Sequence, residues 1–507
     1  MTGTIRGRPG KVEVLRTDAP PSFLMNNWQS WGPMQKVAPQ SRFPELEEIF
    51  LDKRAFVFTP MPEISRRSLV SDYFVAWEKK LLGFLSSRIG HPFFVVEGNE
   101  LVGTIDFFDS VFDDPVRMEP LVVLGGELAE DLLERYALLI NAAHRIKINP
   151  WNPIGWCSWY HYFGKLEWGD VAKNLEIAEK DKGFPFEVFQ VDDGYESDIG
   201  DWLTAKPGYP PLGELAGAIK KRGFKAGIWT APFSVAETSQ FYHDHPGWLV
   251  SEGGVPKVCY KGWGKQIYAL DTSNPEAKSW LFETFRRLKK AGFEYFKIDF
   301  LFAAAMPGTR AKRISPIQAY REGMAVIRKA VGDSFVLGCG APLLPSTGLV
   351  DGMRVGEDTA PYWKTRPSPF QGPNAYFALK NALMRQFMHK RLWLNDPDCL
   401  LLRPKEVELT EEERKLYALA AGALDNMLID SDDLELVARK EKELLAAAIS
   451  LRGGEARVYG LLDDDFYLIE SRGGPSGDII LAANLSDGNK IYEGISTLAR
   501  SAQLIRA

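Results

Sequence analysis

The stretch YFKIDF, residues 295–300, sets Lys297 and Asp299 within an otherwise apolar run. Side chains alternate along a strand, so Tyr295, Lys297 and Asp299 would share one face and Phe296, Ile298 and Phe300 the other. A buried lysine–aspartate pair is costly unless it has work to do. Carboxylates close other short apolar runs too: Asp192 and Asp193 after EVFQV, Glu357 and Asp358 after GMRVG, Asp396 and Asp398 within NDPD, Asp430 and Asp432 after NMLI. Trp229 and Cys339 end two more runs, and Arg354 shares its parity with Asp358. Acidic groups gathered on one rim repel one another and raise some pKa values, which a purely stabilising arrangement would avoid. Glycoside hydrolysis uses such a set: one carboxylate as nucleophile, a second as proton donor, and a sugar held by hydrogen bonds and stacked rings. Metal-dependent hydrolysis fits poorly. The six histidines are scattered, and the HDH at 243–245 falls past the third run and reads as a surface or capping feature. NDPD lacks the spacing and glycine of an EF-hand loop and reads as a strand-end turn. No metal and no cofactor is expected.

Eight apolar runs would carry these groups: 154–159, 187–193, 225–231, 294–300, 334–340, 352–358, 391–398 and 426–433. Stretches with helical spacing follow most of them, which predicts a (β/α)8 TIM barrel with its polar strand ends at the C-terminal rim, where barrel active sites lie. The 11 residues between the fifth and sixth runs leave little room for a helix. A doubly wound open sheet is the alternative, but no GxGxxG or GxxxxGK[ST] follows any run. Before the barrel, short β-like runs broken by turn signals predict an N-terminal β-sandwich, with a hairpin tip at VVEGNELVG and a linking helix over 127–145. After it, ARVYGLL, DFYLIES and DIILAANLS predict a small C-terminal antiparallel β domain. The expected division is 1–147, 148–442 and 443–507.

The whole chain has 507 residues, 45% hydrophobic and 25% charged, a normal globular composition with ample core. Net charge is −6 with no basic stretch, which excludes a nucleic-acid binder of the usual kind. Four cysteines lie far apart without a CxxC, as expected of reduced thiols in a cytoplasm. The start, MTGTIRGRPGKVEV, has no apolar core of a signal peptide, and no run reaches 18 apolar residues. A soluble, cytoplasmic protein without membrane association is expected.

Seven motifs, in order, resemble the α-galactosidases of glycoside hydrolase family 36: NNWQSWGP (26–33), GWCSWYHYF (155–163), QVDDGYE (190–196), GIWTAPF (227–233), YFKIDF (295–300), RVGEDTAPYW (354–363) and LWLNDPDCLLLR (392–403). The resemblance implies that Asp299 is the nucleophile and Asp358 the general acid/base, with Glu357 a rival for the second role. It implies that Asp192 and Asp193 grip the axial O4 and the O6 of galactose, and that Lys297 and Arg354 contact other hydroxyls. Trp229, with Trp156 or Trp159, would line the sugar subsite. The segment around Trp28 and Trp31 would reach into the site, and Cys339 and Gly340 would form the floor near O2. Lys297 should keep Asp299 ionised, while burial should help protonate Asp358, so Arg354 is expected to point at the sugar rather than at Asp358. Trp202 is a candidate platform for the leaving-group sugar. The implied reaction is retaining hydrolysis of terminal α-galactose from melibiose- and raffinose-type oligosaccharides. An α-N-acetylgalactosaminidase, a galactosyl transferase or a non-catalytic sugar-binding protein are the alternatives. The partner is a small oligosaccharide, and a homo-oligomer through the β domains is possible.

Overall fold

All eight apolar runs form short parallel strands: β1 (Ile154–Cys157), β2 (Val188–Val191), β3 (Lys225–Thr230), β4 (Tyr295–Ile298), β5 (Phe335–Gly338), β6 (Gly352–Arg354), β7 (Leu394–Asp396) and β8 (Leu428–Asp430). The computed structural model describes residues 3–41, 59–108, 110–364, 372–463, 465–492 and 495–506. The strands neighbour one another in the order β7-β6-β5-β4-β3-β2-β1-β8. The Met427 N–H donates to the Asn395 carbonyl at 3.0 Å and draws β8 towards β7, so the sheet nearly closes on itself. Strands such as VFQV and YFKI are buried on both faces, as parallel strands wrapped by helices must be.

The helices between strands are amphipathic and well capped. Asn274 accepts from the Glu276 and Ala277 N–H groups to start the helix Pro275–Ala291, which ends where Gly292 takes φ 118°. Ser315 and Gln318 form a reciprocal capping box for Pro316–Val331. Between β5 and β6 there is only a single 3₁₀ turn, Leu344–Ser346, as the short spacing required. N-terminal residues pack there instead. Ser30 N–H donates to the Ala341 carbonyl at 2.9 Å, and Leu343 N–H to the Trp28 carbonyl at 2.9 Å. This is how a loop from the first antiparallel sheets reaches the barrel rim.

Among the described residues those sheets have five, four and two strands. The VVEGNELVG hairpin pairs His91–Glu97 with Glu100–Asp106 around Gly98 at φ 62°. A four-stranded antiparallel sheet, Glu455–Tyr459, Phe466–Gly474, Gly477–Asn484 and Ser501–Arg506, follows the barrel. An element without a clear periodic signal lies after β3: the strands Ser234–Ala236, Val258–Gly262 and Lys265–Ala269 form a small antiparallel sheet whose Gly262-Trp263-Gly264 turn stands at the pocket. No helix among the described residues is long and apolar enough to cross a membrane.

Candidate active site

A pocket of about 350 Å³ opens at the C-terminal ends of the strands and is lined by Asp192, Asp193, Lys297, Asp299, Glu357 and Asp358. Trp31, Trp159, Trp229, Tyr260, Trp263, Phe300 and Phe302 supply its rings. The segment after β4 sets Asp299. Its backbone N–H donates to the Thr230 carbonyl at 2.8 Å, which continues the pairing with β3. Its Oδ2 accepts from the Trp229 indole at 3.1 Å and its Oδ1 from the Phe300 N–H at 2.7 Å. Burial pushes this carboxyl above its ordinary value, against the pull of Lys297.

Lys297 does not pair directly with Asp299. Its ammonium lies 2.9 Å from Asp192 Oδ2. Burial opposes that charge, but the surrounding acidic groups, Asp192 foremost, hold it well above the usual lysine range. Asp192 also accepts from the Gln190 amide and from the Cys157 thiol at 3.4 Å. Asp193 accepts from the Trp263 indole at 2.7 Å. Behind it the Glu196 carboxyl is hydrogen-bonded to Asp193 and takes the Gly194 N–H at 3.2 Å. Burial and the Asp193 charge push Glu196 far up, and burial pushes Asp193 up as well.

Phe300 departs from simple alternation. The strand stops at Ile298, and Phe300 at φ 50° turns its ring to the pocket rather than to the helices. There it stacks on Tyr260 at 5.3 Å and meets Trp31 and Trp263, each at 5.0 Å. Trp31 arrives on the N-terminal loop, and its indole donates to Cys339 Sγ at 3.3 Å. Gly340, at φ 52°, has no room for a side chain: a Cβ there would stand 2.9 Å from the Trp31 ring. Among the described residues no group of three or more His, Cys, Asp or Glu could hold a metal ion. His243 and Asp244 of the HDH segment end the short helix Gln240–Asp244, and His245, just past it, stacks on Trp248 at 3.8 Å.

Residues 1–125 match the family model described as "Alpha-galactosidase, N-terminal", and residues 138–323 match the one described as "Melibiase". Together they cover more than half of the chain. This chain belongs to the α-galactosidase family. A solved α-galactosidase of this family from Thermus thermophilus, in complex with p-nitrophenyl α-D-galactopyranoside, is 27% identical at a TM-score of 0.75, with 92% of this chain and 94% of that chain covered. The family 36 α-galactosidase of Geobacillus stearothermophilus shares the fold at a TM-score of 0.66 and 14% identity, over 97% of this chain and 75% of that one. The Escherichia coli α-galactosidase is 28% identical over 29% of this chain, a stretch that spans only 22% of that relative's length.

Several residues that the sequence singled out lie elsewhere. Arg354 is fully buried and holds Asp358, with Asp398 at 2.6 Å and the Tyr160 hydroxyl at 3.2 Å, rather than reaching the pocket. The expectation that it avoids Asp358 is overturned: the buried cation needs carboxylate partners, and the rim supplies two. Trp28 is core, its carbonyl taken by the Tyr73 hydroxyl at 2.6 Å, so Trp31 alone of the pair enters the site. Trp156 is also core, stacked on Phe189 at 4.2 Å, which leaves Trp159 as the pocket ring. Trp202 is buried edge-on to Trp229 at 5.8 Å and offers no platform to an outer sugar. The residues that sequence reasoning left out, Tyr260, Lys261 and Phe302, or did not single out, Trp263, come chiefly from the insertion after β3, whose turn glycines were its one local signal.

Proposed function

We propose that this protein is a retaining exo-α-galactosidase. The observation that carries this reading is the single pocket wall in which Asp299, Asp358, Asp192 and Asp193 meet four tryptophan rings at the C-terminal mouth of the barrel. Asp299 is the nucleophile: two N–H donors fix its oxygens, which orients it towards an anomeric carbon. Asp358 is the acid/base. Its Oδ1 is taken by Arg354, while Oδ2 has no protein hydrogen bond among the described residues and is open to the leaving oxygen. It donates a proton to that oxygen as Asp299 bonds to the sugar, and then accepts one from the water that releases galactose with retention. Asp192 and Asp193, each held by fixed donors, accept the galactose O4 and O6 hydroxyls. Two structures of the Thermus thermophilus α-galactosidase are complexes with p-nitrophenyl α-D-galactopyranoside and with stachyose, which supports terminal α-galactose as the substrate class.

With Cys339 and Gly340 on the O2 side, as the family resemblance implies, the Trp31 ring packed over both would crowd an acetamido group at C2, which favours galactose over N-acetylgalactosamine. The test is release of p-nitrophenol from its α-galactoside with chelator present, beside the α-glucoside and the α-N-acetylgalactosaminide. Cleavage of the α-galactoside alone, with α-galactose as the first product by NMR, is expected. β-Galactose as first product would overturn retention, and preference for the acetamido sugar would overturn the substrate.

A further inference from the structure

Glu357 lines the pocket, is 7% exposed, and its Oε2 has no hydrogen-bond partner among the described residues. An unpaired buried carboxyl oxygen costs about 1–3 kcal/mol, more when charged. The chain around it leaves little freedom to escape that cost. Val355 N–H donates to the Asp396 carbonyl at 3.0 Å, and the Val355 carbonyl accepts from Arg385 at 2.8 Å. The Gly356 carbonyl accepts from Arg354 at 2.8 Å. A Cβ on Gly356 would stand 3.2 Å from the Ala378 carbonyl oxygen, so this backbone lies directly on the following helix. The Asp358 carbonyl accepts from the Asn374 N–H at 2.9 Å. A rigid segment thus presents to the pocket a polar group that no described residue partners.

We propose that Glu357 is a specificity-determining residue that meets the substrate as an uncharged carboxylic acid and hydrogen-bonds one hydroxyl of the bound α-galactoside. Burial pushes its carboxyl well above the ordinary range, which keeps the proton in place. A neutral acid offers one donor and one acceptor, the pair that a sugar hydroxyl complements. The proposal rests on the glycosidase reading above. It assigns Glu357 binding rather than proton donation to the leaving group, which stays with Asp358.

The experiment compares wild type, Glu357→Gln and Glu357→Leu on p-nitrophenyl α-galactoside and its 2-, 3-, 4- and 6-deoxy analogues, after melting curves establish folding. Glu357→Leu should lower kcat/KM about tenfold on the parent, and Glu357→Gln, which keeps a donor and an acceptor, should lose less. One deoxygenation that penalises wild type should no longer penalise Glu357→Leu, the coupling that marks a direct contact. Additive losses at all four positions would overturn the contact. With melibiose run alongside as a substrate with a poor leaving group, a loss on melibiose but not on p-nitrophenyl α-galactoside would overturn the binding role and make Glu357 an acid catalyst. If wild type cleaves no galactoside, the glycosidase reading fails separately, and calorimetry with galactose reads the contact by itself: about tenfold weaker binding by Glu357→Leu supports it, whereas equal affinity, or no binding by wild type, overturns it.

Discussion

Arg354 joins Asp358 to Asp398: one guanidinium nitrogen holds the half-buried rim carboxylate and another lies 2.6 Å from the buried one. The cation therefore serves two ends. It neutralises a carboxylate deep in the barrel wall, and it fixes the orientation of the proposed acid/base. A charge with no access to water depends on its partners, so this residue belongs to stability as much as to chemistry.

Arg354→Gln should therefore be severe in both respects. It leaves Asp398 buried without its cation, and breaking such a pair costs about 3–5 kcal/mol. Denaturant unfolding should show that loss, with a steep fall in turnover on p-nitrophenyl α-galactoside. Native stability in the variant would show that Tyr160 and the Thr359 N–H, which also hold Asp398, suffice without it.

The acid limb of kcat/KM should report Asp299. Burial raises its pKa, so activity should fail on acidification at a higher pH than an ordinary aspartate would give. Trp229→Phe removes a donor to the ionised form. The limb should then move further towards neutral, by about one unit, equivalent to about 1.4 kcal/mol. An unmoved limb would separate Trp229 from the titration of Asp299.

Asp299→Gly should abolish turnover and, with azide supplied, recover part of it with β-galactosyl azide as product, because the small anion takes the vacated position. Turnover like wild type in that variant would remove Asp299 as nucleophile.

Glu196 gives a stability signature. Its carboxyl is held far above the ordinary glutamate range by burial and by Asp193, so the folded chain keeps a proton that the unfolded chain releases. By linkage, stability is greatest below the ordinary glutamate pKa and falls as pH rises above it, until the folded group itself ionises. Glu196→Gln removes that fall. Melting temperatures of the variant should gain on wild type as pH is raised from about 4 to about 8. Parallel curves would show that the proton is not held there.

Gly340→Ala should cost about 1–2 kcal/mol, since φ 52° is unfavourable for a residue with a Cβ and the Trp31 ring occupies its place. Displaced Trp31 fluorescence should accompany the loss, and an unchanged spectrum and melting point would contradict the packing argument.

Much of this was legible in the chain itself. The apolar runs had the length of buried strands, and their polar ends could only gather on one rim once the sheet curled, so Asp192, Asp193, Asp299 and Asp358 meet as their positions required. The gap before β6 foretold a missing helix. Alternation failed at Phe300 because it holds only while the strand lasts, and one left-handed residue redirects the ring. Trp28 and Trp31, or Trp156 and Trp159, look alike in a motif; which ring is core depends on neighbours distant in sequence, His91 for one and Phe189 for another.

The sequence by itself determined the barrel, the carboxylates at its mouth and the family, because periodicity and residue type are local properties of a chain. Only the tertiary structure decided which charge pairs with which. Lys297 lies two residues from Asp299 yet pairs with Asp192, 105 residues away, and Arg354 turns to Asp358 and Asp398. A buried charge settles on whichever partners the folded geometry brings within a few ångströms, since electrostatic attraction falls with distance in space and is indifferent to separation along the chain.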